Sequence, residues 1–274
     1  MTTVTLAPTS GARPLADTAT MLRRNLLRAA RYPALTSFTV MIPVLLLLLF
    51  VFVFGGALGA GVVPGVTPGA DGRAAYLDYI TPAILLFAVV GAAQSIAITA
   101  AMDATSGIMA RFKTMPISSG SVLGGPVLGT VVQGLVAVAV VLGIAVALGH
   151  RPQAGPLGWL ALVGLVVVTT AALAWLCVAM GLAAPSVETA SNTPMLLTAL
   201  PFLGSGFVPV DTMPTPVRWF AEHQPFTPVI EATRTLLDGD FPDAGTALRA
   251  LGWCALIGVV GYAWSRTLYR RERR

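Results

Sequence analysis

The side chains that could perform acid–base, nucleophilic or metal chemistry are few and far apart in this sequence. The two histidines, His150 and His223, are 73 residues apart, and the two cysteines, Cys177 and Cys254, lie in separate apolar runs. This spacing fits neither a disulfide framework nor a zinc site, and it is typical of small buried apolar side chains. Glu222 precedes His223, but this pairing in a loop indicates an ion pair or an exposed patch rather than a catalytic site.

The sequence also lacks the residues of a nucleotide-binding loop. A P-loop requires the pattern Gly-x-x-x-x-Gly-Lys-Ser/Thr, whereas the single lysine of this chain, Lys113, follows Phe112. The chain therefore holds no ATP through that motif. We expect it to bind no cofactor or metal and not to be an enzyme.

The composition decides what kind of protein remains. Of its 274 residues, 55% are hydrophobic and only 11% are charged, whereas a soluble domain carries about 25% charged residues. This excludes an ordinary soluble enzyme, and it excludes a disordered chain, which combines low hydrophobicity with high charge. A membrane protein is the class that fits.

Long apolar runs predict an all-α polytopic protein with six transmembrane helices. About 20 apolar residues cross the hydrocarbon core as a helix. We place the spans at about residues 38–61, 80–102, 122–148, 157–184, 188–208 and 247–269. The charge-free part of the fifth run, 193–208, has only 16 residues, so it needs flanking residues to cross. Five spans with a re-entrant hairpin is the alternative.

The N-terminal residues differ in character from the spans. Residues 1–15 are rich in Thr, Ala and Pro and are expected to be disordered, and residues 16–274 to form the transmembrane domain. Residues 16–32 predict an amphipathic helix in the cytoplasmic interface, ended by Pro33. Its apolar and basic residues fall on opposite faces: Met21, Leu22, Leu26 and Ala29 against Arg24, Arg28 and Arg31.

The distribution of charge predicts the orientation. With six spans, twelve of the seventeen Lys and Arg residues lie on the side of both termini, and eight of the twelve acidic residues lie on the other. The positive-inside rule then places both termini in the cytoplasm of a bacterial plasma membrane. Arg-rich ends also occur in nucleic-acid-binding proteins, but membrane topology accounts for them here, and we expect membrane lipid and no nucleic acid as a partner.

The charge-free runs also limit the source of energy for transport. Proton- or sodium-coupled carriers place ionisable residues within their spans, and these runs have none. The charged rings or repeated carbonyls of a channel filter are absent as well. Gln94 and Gln133 within these runs, and Asn192 directly before the fifth run, are the candidate polar contacts for a substrate. If energy is used, it must come from another subunit.

Two segments outside the spans carry recognisable patterns. In residues 103–118, Ile108, Phe112 and Met115 recur at helical spacing before Pro116. They predict a short amphipathic helix that docks in a groove of a soluble partner, with a helix resting on lipid as the alternative.

After the fifth run, several prolines prevent one continuous helix and predict two short helices, near 215–223 and 227–237. Pro201, Gly204 and Gly206 indicate that the fifth span itself breaks or bends. Non-helical backbone at membrane depth must be buried in protein or line a cavity. We therefore expect a re-entrant element at the exit side of a transport pathway.

Both segments resemble a known family. The first resembles the coupling loop of ABC transporter type 2 permeases through Gly107, Arg111, Phe112, Lys113, Met115, Pro116, Ile117 and Ser118. Residues 207–228 resemble the signature of the daunorubicin-resistance, drug-exporter branch, and the similarity extends over about residues 20–270. It implies six spans after an interfacial helix, and a pair of permeases, which we expect to be a homodimer. It also implies two copies of a separate ATPase subunit, which bind ATP and magnesium.

The resemblance also assigns roles to residues of this sequence. The contact with the ATPase would be formed by Gly107, Ile108, Arg111, Phe112, Met115 and Pro116, with Glu188 as a second, smaller contact. The outer re-entrant segment would contain Pro209, Met213, Pro214, Trp219, Phe220, Glu222, His223, Pro225 and Pro228. Ala110 departs from the family, in which an acidic residue is common at this place, so one salt bridge to the ATPase is in doubt.

These observations predict the permease subunit of an ATP-driven exporter that works by alternating access. Few polar groups in the spans favour a lipophilic or amphipathic compound, such as a drug, an antibiotic or a lipid-like molecule. An exporter of polysaccharide or lipid-linked glycan and a non-transporting membrane anchor or assembly subunit are the alternatives. The GxxxG patterns at 55–59, 120–124 and 125–129 fit packing within the chain or between two copies. The resemblance places spans 1 and 5 at the dimer interface.

Overall fold

The computed structural model describes residues 14–31, 33–57, 70–108 and 119–271, and this part of the chain contains helices and no strands. Residues 1–13, most of the segment predicted to be disordered, lie outside it. So do four of the predicted ATPase contacts: Arg111, Phe112, Met115 and Pro116. The fold therefore positions the two ends of the coupling loop but not its centre.

Ten α-helices follow one another in the described residues. They are α1 (Pro14–Arg31), α2 (Pro33–Leu49), α3 (Ala70–Thr105), α4 (Ser119–Ala147), α5 (Pro156–Ala183), α6 (Val187–Asn192), α7 (Leu196–Ala199), α8 (Thr215–His223), α9 (Phe226–Leu237) and α10 (Ala244–Arg271). A π-helix, Phe50–Phe54, continues α2. Short 3-10 turns flank α7 at Thr193–Met195 and Leu200–Leu203, and another, Val210–Thr212, precedes α8.

Five of these helical stretches are long and apolar enough to cross a membrane. They are Ser37–Ala57, Gly72–Thr105, Gly120–Ala147, Pro156–Ala183 and Ala244–Arg270. They coincide with predicted spans 1, 2, 3, 4 and 6, so the prediction of a helical, multi-pass membrane protein is confirmed. The predicted fifth span is not a continuous helix, because the chain from Val187 to Leu203 alternates between short α-helices and 3-10 turns.

The long helix α3 forms the centre of the bundle. Its 36 residues are about 54 Å long, well beyond the roughly 30 Å of a hydrocarbon core. Small residues bring its neighbours close: Gly181 of α5 lies against the backbone of Ala97, and Gly261 of α10 lies against the backbone of Leu176. Larger side chains at these two glycines would separate the helices.

We call the two ends of the helix bundle the proximal end and the distal end, according to which helix termini they contain. The proximal end contains the last turn of α3, the start of α4 and the last turns of α5 and α10. The distal end contains the start of α3, the end of α4 and the segment that leads into α10. His150 and Asp78, 2.5 Å apart between Nδ1 and Oδ1, join α4 to α3 at the distal end.

Helix α1 runs beside α4 in the same direction rather than crossing it. The hydroxyl of Thr18 donates to Ser121 at 3.0 Å, Met21 lies against Gly125, and Asn25 accepts from Gln133 at 2.9 Å. Asn25 also lies against Gly129. The Gly125–Gly129 pair therefore packs α1 within the chain, one of the two uses considered for it.

Candidate functional site

At the proximal end, a carboxylate of α3 holds α1 through two arginines. Arg24 Nη2 lies 3.2 Å from Asp103 Oδ2, and Arg28 Nη1 lies 3.0 Å from Asp103 Oδ1. The Asp103 side chain is only 12% exposed, so both guanidiniums help to offset its desolvation. Sequence reasoning placed these arginines on the basic face of an interfacial helix and missed the pair. The available signal was the i, i+4 spacing of Arg24 and Arg28 together with one acidic residue at the end of span 2.

The coupling loop begins directly after this ion pair. Gly107 has a φ of 71°, a left-handed conformation that glycine adopts easily, and its amide donates to Ala104 at 3.4 Å. Ile108 follows and is partly buried. Glu188, the second predicted contact, is exposed in the first turn of α6. Ser186 caps this helix, since its hydroxyl oxygen accepts a hydrogen bond from the amide of Thr189 at 3.2 Å. Contact of these residues with an ATPase stays a prediction.

Beside the ion pair, a cleft of about 240 Å³ opens between α1, α3 and α4. Its polar lining consists of Asn25, Arg28, Ser95, Thr99, Thr130 and Gln133. Ile96, Ile98 and Met102 form its apolar lining. Of the three predicted substrate contacts, Gln133 lies here, bonded to Asn25.

The other two predicted substrate contacts belong to a different place. Gln94 Nε2 donates to the carbonyl oxygen of Pro194 at 2.8 Å and to Thr198 Oγ1 at 2.6 Å. Asn192 is exposed at the end of α6, two residues before Pro194. Gln94 therefore holds residues 187–203, which we call the fifth segment, against α3. Gln133 faces α1.

At the distal end, the fifth segment stops being helical and continues into a turn at residues 204–207, the distal turn. Side chains of α3 and α9 bind the backbone of this turn. The hydroxyl of Tyr79 and Nη2 of Arg234 both donate to the carbonyl oxygen of Ser205, each at 3.0 Å. Arg234 also donates to the carbonyl of Tyr79 at 3.3 Å. Backbone polar groups at membrane depth must be satisfied within the protein. These contacts do so, and sequence reasoning did not find them.

An aromatic cluster holds the same turn from its apolar side. The ring of Phe207, 5% exposed, lies 4.8 Å from Phe50, 4.7 Å from Phe202 and 5.7 Å from Phe87, measured between ring centroids. Such pairs stabilise beyond their buried area. The cluster joins α2 and α3 to the fifth segment.

The two short helices predicted after this turn are present as α8 and α9. On α8, Glu222 pairs with Arg218 at 2.8 Å rather than with His223, and Arg218 also pairs with Asp211. Trp219 stacks on His223 and is 64% exposed; Phe220 is exposed as well. The other residues predicted for the outer re-entrant segment flank its short elements or lie within them. Pro209 and Met213 flank the 3-10 turn Val210–Thr212. Pro214 precedes α8, Pro225 precedes α9, and Pro228 lies inside α9.

A polar pocket lies between α8, α9 and the turn. Its volume is about 370 Å³, and its lining includes Tyr79, Asp211, Glu231, Arg234 and Arg249. Burial raises the pKa of Glu231, and the charges of Arg234 and Arg249 oppose this shift. Within the described ranges, no three His, Cys, Asp or Glu side chains are grouped to hold a metal ion.

Comparison with known proteins assigns this arrangement to a family. The model of the ABC-2 type transporter family matches residues 17–237. The chain belongs to this family. The matched region runs from α1 through α9, so it includes the Asp103 ion pair, the cleft and the distal turn.

Individual relatives carry the names of drug-resistance permeases. The daunorubicin resistance ABC transporter permease protein DrrB1 of Streptomyces coeruleorubidus is 29% identical over 273 residues, which are 96% of this chain and 91% of that protein. The probable doxorubicin resistance ABC transporter permease protein DrrC of Mycobacterium tuberculosis is 27% identical over 181 residues, which are 66% of this chain and 65% of that protein. The predicted resemblance is thereby confirmed.

Proposed function

We propose that this ABC-2 family member is the permease subunit of an ATP-driven exporter. It moves a lipophilic or amphipathic compound, such as a drug, an antibiotic or a lipid-like molecule, out of the cytoplasm. The names of the relatives, which refer to daunorubicin and doxorubicin resistance, support this class of substrate. ATP and magnesium would be bound by a separate ATPase subunit, because the permease has no P-loop lysine.

The proposed arrangement has six spans and both termini in the cytoplasm of a bacterial plasma membrane. The proximal end, where α1 packs along the first half of α4, would then face the ATPase, and α8 and α9 would form the outer re-entrant segment. Residues 187–203 would be the fifth span. Its 17 residues, in short α-helices and 3-10 turns, would measure about 26 Å at the rise of an α-helix, and the bonded turn at Ser205 would complete the crossing.

Two permeases and two ATPase subunits would form the complete transporter, with a permease homodimer as the simplest arrangement. Exposed apolar side chains on α2 and on the fifth segment support a contact between permease copies. Leu45 of α2 and Phe52 of the π-helix that continues it are 54% and 53% exposed, and Met195 and Leu196 of the fifth segment are 67% and 74% exposed.

The single observation that carries the mechanism is that α3 is one unbroken helix from Ala70 to Thr105, with Pro82 inside it. Asp103 near its end binds α1, four residues before the left-handed Gly107. The same helix bonds the fifth segment through Gln94 and the distal turn through Tyr79. Tyr79 and Asp103 are 24 positions apart, which corresponds to about 36 Å along the helix.

This geometry supports an alternating-access mechanism. Closure of the ATPase pair on ATP would displace residues 107–116, and α3 would carry that displacement to the fifth segment and the distal turn. The cavity between the two permeases would then open to the other side. A mostly apolar wall with few polar groups suits an amphipathic compound.

The test is ATPase activity of the permease co-purified with its candidate ATPase subunit in lipid nanodiscs. We expect lipophilic compounds to stimulate the wild type, Phe112→Asp to abolish the stimulation, and Phe112→Leu, which keeps an apolar side chain, to retain it. An ATPase that associates but responds only to glycan lipids would favour the glycan exporter. A permease with no associated ATPase, and no effect of Phe112→Asp, would leave the membrane anchor.

A further inference from the structure

The cleft between α1, α3 and α4 continues into a second, more basic space. This groove, of about 500 Å³, runs along α1 to the start of the coupling loop, and Arg28 lines both spaces. The charged residues of the groove are Arg23, Arg24, Arg28, Arg31 and Asp103. Four guanidiniums against one carboxylate leave a charge of about +3 there at neutral pH, since Arg remains protonated and Asp ionised.

The cleft itself has a different character. Hydroxyl and amide groups lie near its mouth at Asn25, Thr130 and Gln133, whereas Ile96, Ile98 and Met102 supply apolar walls. An anionic group in the groove and a hydrocarbon chain in the cleft would match both linings at once. Few molecules other than an amphiphile with an anionic head combine these two parts.

We propose that the groove and cleft form a binding site for an anionic phospholipid of the adjacent leaflet. The headgroup phosphate lies among the arginines of α1, and the first part of an acyl chain enters the cleft beside Thr99. The proximal position of α1 makes the cytoplasmic leaflet the source, so this placement rests on the proposed orientation. Lipid binding itself requires neither the ATPase nor a transported substrate.

Charge and shape favour a lipid over an acidic surface of a protein partner. A folded protein would contact the exposed arginines Arg23 and Arg31, but it would leave the cleft behind Arg28 unfilled. The close contacts of α1 with α4 involve Thr18, Met21 and Asn25. On α1 the cleft is lined by Asn25, Arg28 and Ala29, so it lies where this contact ends and an acyl chain can enter it.

The site also touches the coupling loop. Ile108, its first residue after Gly107, lines the groove together with Leu27 of α1. A bound headgroup therefore lies between α1 and the beginning of the loop. Lipid occupancy would fix the position of both, so the coupling of ATP hydrolysis to transport would depend on the lipid composition of the membrane.

The test measures lipid retention by the full-length permease without any ATPase subunit. The purified chain is mixed with equal amounts of phosphatidylglycerol and phosphatidylcholine that carry the same acyl chains, and bound lipid is counted by native mass spectrometry. We expect phosphatidylglycerol to be preferred. Arg28→Gln should lower its retention by about fivefold, the effect of one cation at a membrane surface, while Arg270→Gln, an exposed arginine of α10 outside the site, should leave it unchanged.

Because Arg28 also binds Asp103, a second variant separates lipid binding from folding. Thr99→Leu fills the cleft without changing its charge. We expect this variant to retain less phosphatidylglycerol and to have the same melting temperature as the Arg270→Gln control. Equal retention of both lipids by the wild type, or equal retention by all variants, would overturn the proposal. Displacement of the lipid by inorganic phosphate alone would reduce the site to an anion site.

A different result would assign the groove to the protein partner. If Arg23→Gln and Arg31→Gln lower co-purification of the ATPase and leave lipid retention unchanged, the arginines form a contact between subunits and the lipid site is rejected. Failure of lipid binding would leave the exporter proposal intact, because that proposal is tested by stimulated ATPase activity.

Discussion

The phenolic oxygen of Tyr79 lies 3.0 Å from the carbonyl oxygen of Ser205, across 126 residues of sequence. Arg234 donates to the same oxygen from α9 and lies 4.2 Å above the Tyr79 ring. A carbonyl oxygen has two lone pairs, so both donors fit. The break in the fifth segment is therefore held by two elements that sequence distance separates widely.

Removal of Arg234 should destabilise the protein more than removal of the Tyr79 hydroxyl. Arg234→Met deletes charged hydrogen bonds to two carbonyls, and we expect a loss of about 2–3 kcal/mol. Tyr79→Phe leaves Arg234 on Ser205 and should cost about 1 kcal/mol. Denaturant unfolding in detergent measures both, with Arg270→Met, at an exposed position of α10 away from this pocket, as a control expected to stay within about 0.5 kcal/mol.

The double variant adds a further check. Because both side chains donate to one oxygen, the combined loss should differ from the sum of the single losses. Strict additivity would show that the two side chains stabilise the protein independently, with no energetic coupling through the shared oxygen of Ser205.

The spans and the long-range contacts differ in how far the sequence predicts them. Five spans and the helices α8 and α9 follow from local signals, which are charge-free runs of sufficient length and the prolines that interrupt residues 209–228. The bonds of Asp103 to Arg24 and Arg28, and of Ser205 to Tyr79, join residues 75 to 126 positions apart, and no local pattern contains them. The sequence also does not predict which neighbouring segments Gln94 and Gln133 contact, because a helix that is apolar on all sides gives no signal for its orientation.

The Asp103 ion pair should control how firmly α1 is docked. Asp103→Asn leaves two guanidiniums beside a neutral amide, and we expect α1 to lose about 2 kcal/mol of docking stability. Hydrogen exchange in residues 14–31 should rise while exchange in α5 stays constant. Asp240→Asn, the same change at an exposed position of the distal loop, serves as the control.

A charge swap tests the pair directly. Asp103→Arg combined with Arg28→Asp keeps the net charge of the cluster and restores an attractive pair. We expect slower exchange in α1 than in Asp103→Arg alone. No recovery in the swap would show that geometry, rather than charge, fixes α1 on α3.

Gln94 should act on the fifth segment rather than on substrate affinity. Gln94→Leu removes the bonds to Pro194 and Thr198, and we expect faster hydrogen exchange in residues 193–203 and a lower maximal rate of stimulated ATP hydrolysis. Gln133→Leu, which releases Asn25 instead, should affect exchange in α1. If Gln94→Leu raises the half-maximal substrate concentration and leaves exchange unchanged, Gln94 contacts the substrate, as the sequence predicted.

Acidification should stabilise the distal pocket through Glu231. Burial raises the pKa of Glu231 above its usual value of 4.5, so the folded chain binds this proton more tightly than the unfolded chain. Stability from this group therefore falls as the pH rises from about 4.5 through the raised pKa, and is constant above it. Glu231→Gln should remove that part of the pH dependence, measured as the melting temperature between pH 4 and pH 8.

Asp243 provides a contrast of opposite sign. Hydrogen bonds from Thr246 at the start of α10 lower the pKa of Asp243 below its usual value of 3.8. Its contribution is present above that value and is lost as the pH falls through the lowered pKa. Asp243→Asn should therefore change stability at neutral pH. It should reduce the Glu231 effect between pH 4 and pH 8 without abolishing it, because burial is the main cause of the raised pKa of Glu231 and the charge of Asp243 adds to it.

Gly107 should be the least replaceable glycine at the start of the coupling loop. Its φ of 71° costs an L-residue about 1–2 kcal/mol, although no described atom lies within 4 Å of a Cβ built there. The penalty is therefore one of backbone conformation, and Gly107→Asn should be milder than Gly107→Ala because Asn tolerates this region. Gly120→Ala in α4, where the Cβ is equally unobstructed among the described atoms, should be neutral or slightly stabilising. Stimulated ATPase activity in nanodiscs should fall in the order Gly120→Ala, Gly107→Asn, Gly107→Ala; equal activities would show that the left-handed turn after α3 is not needed for coupling.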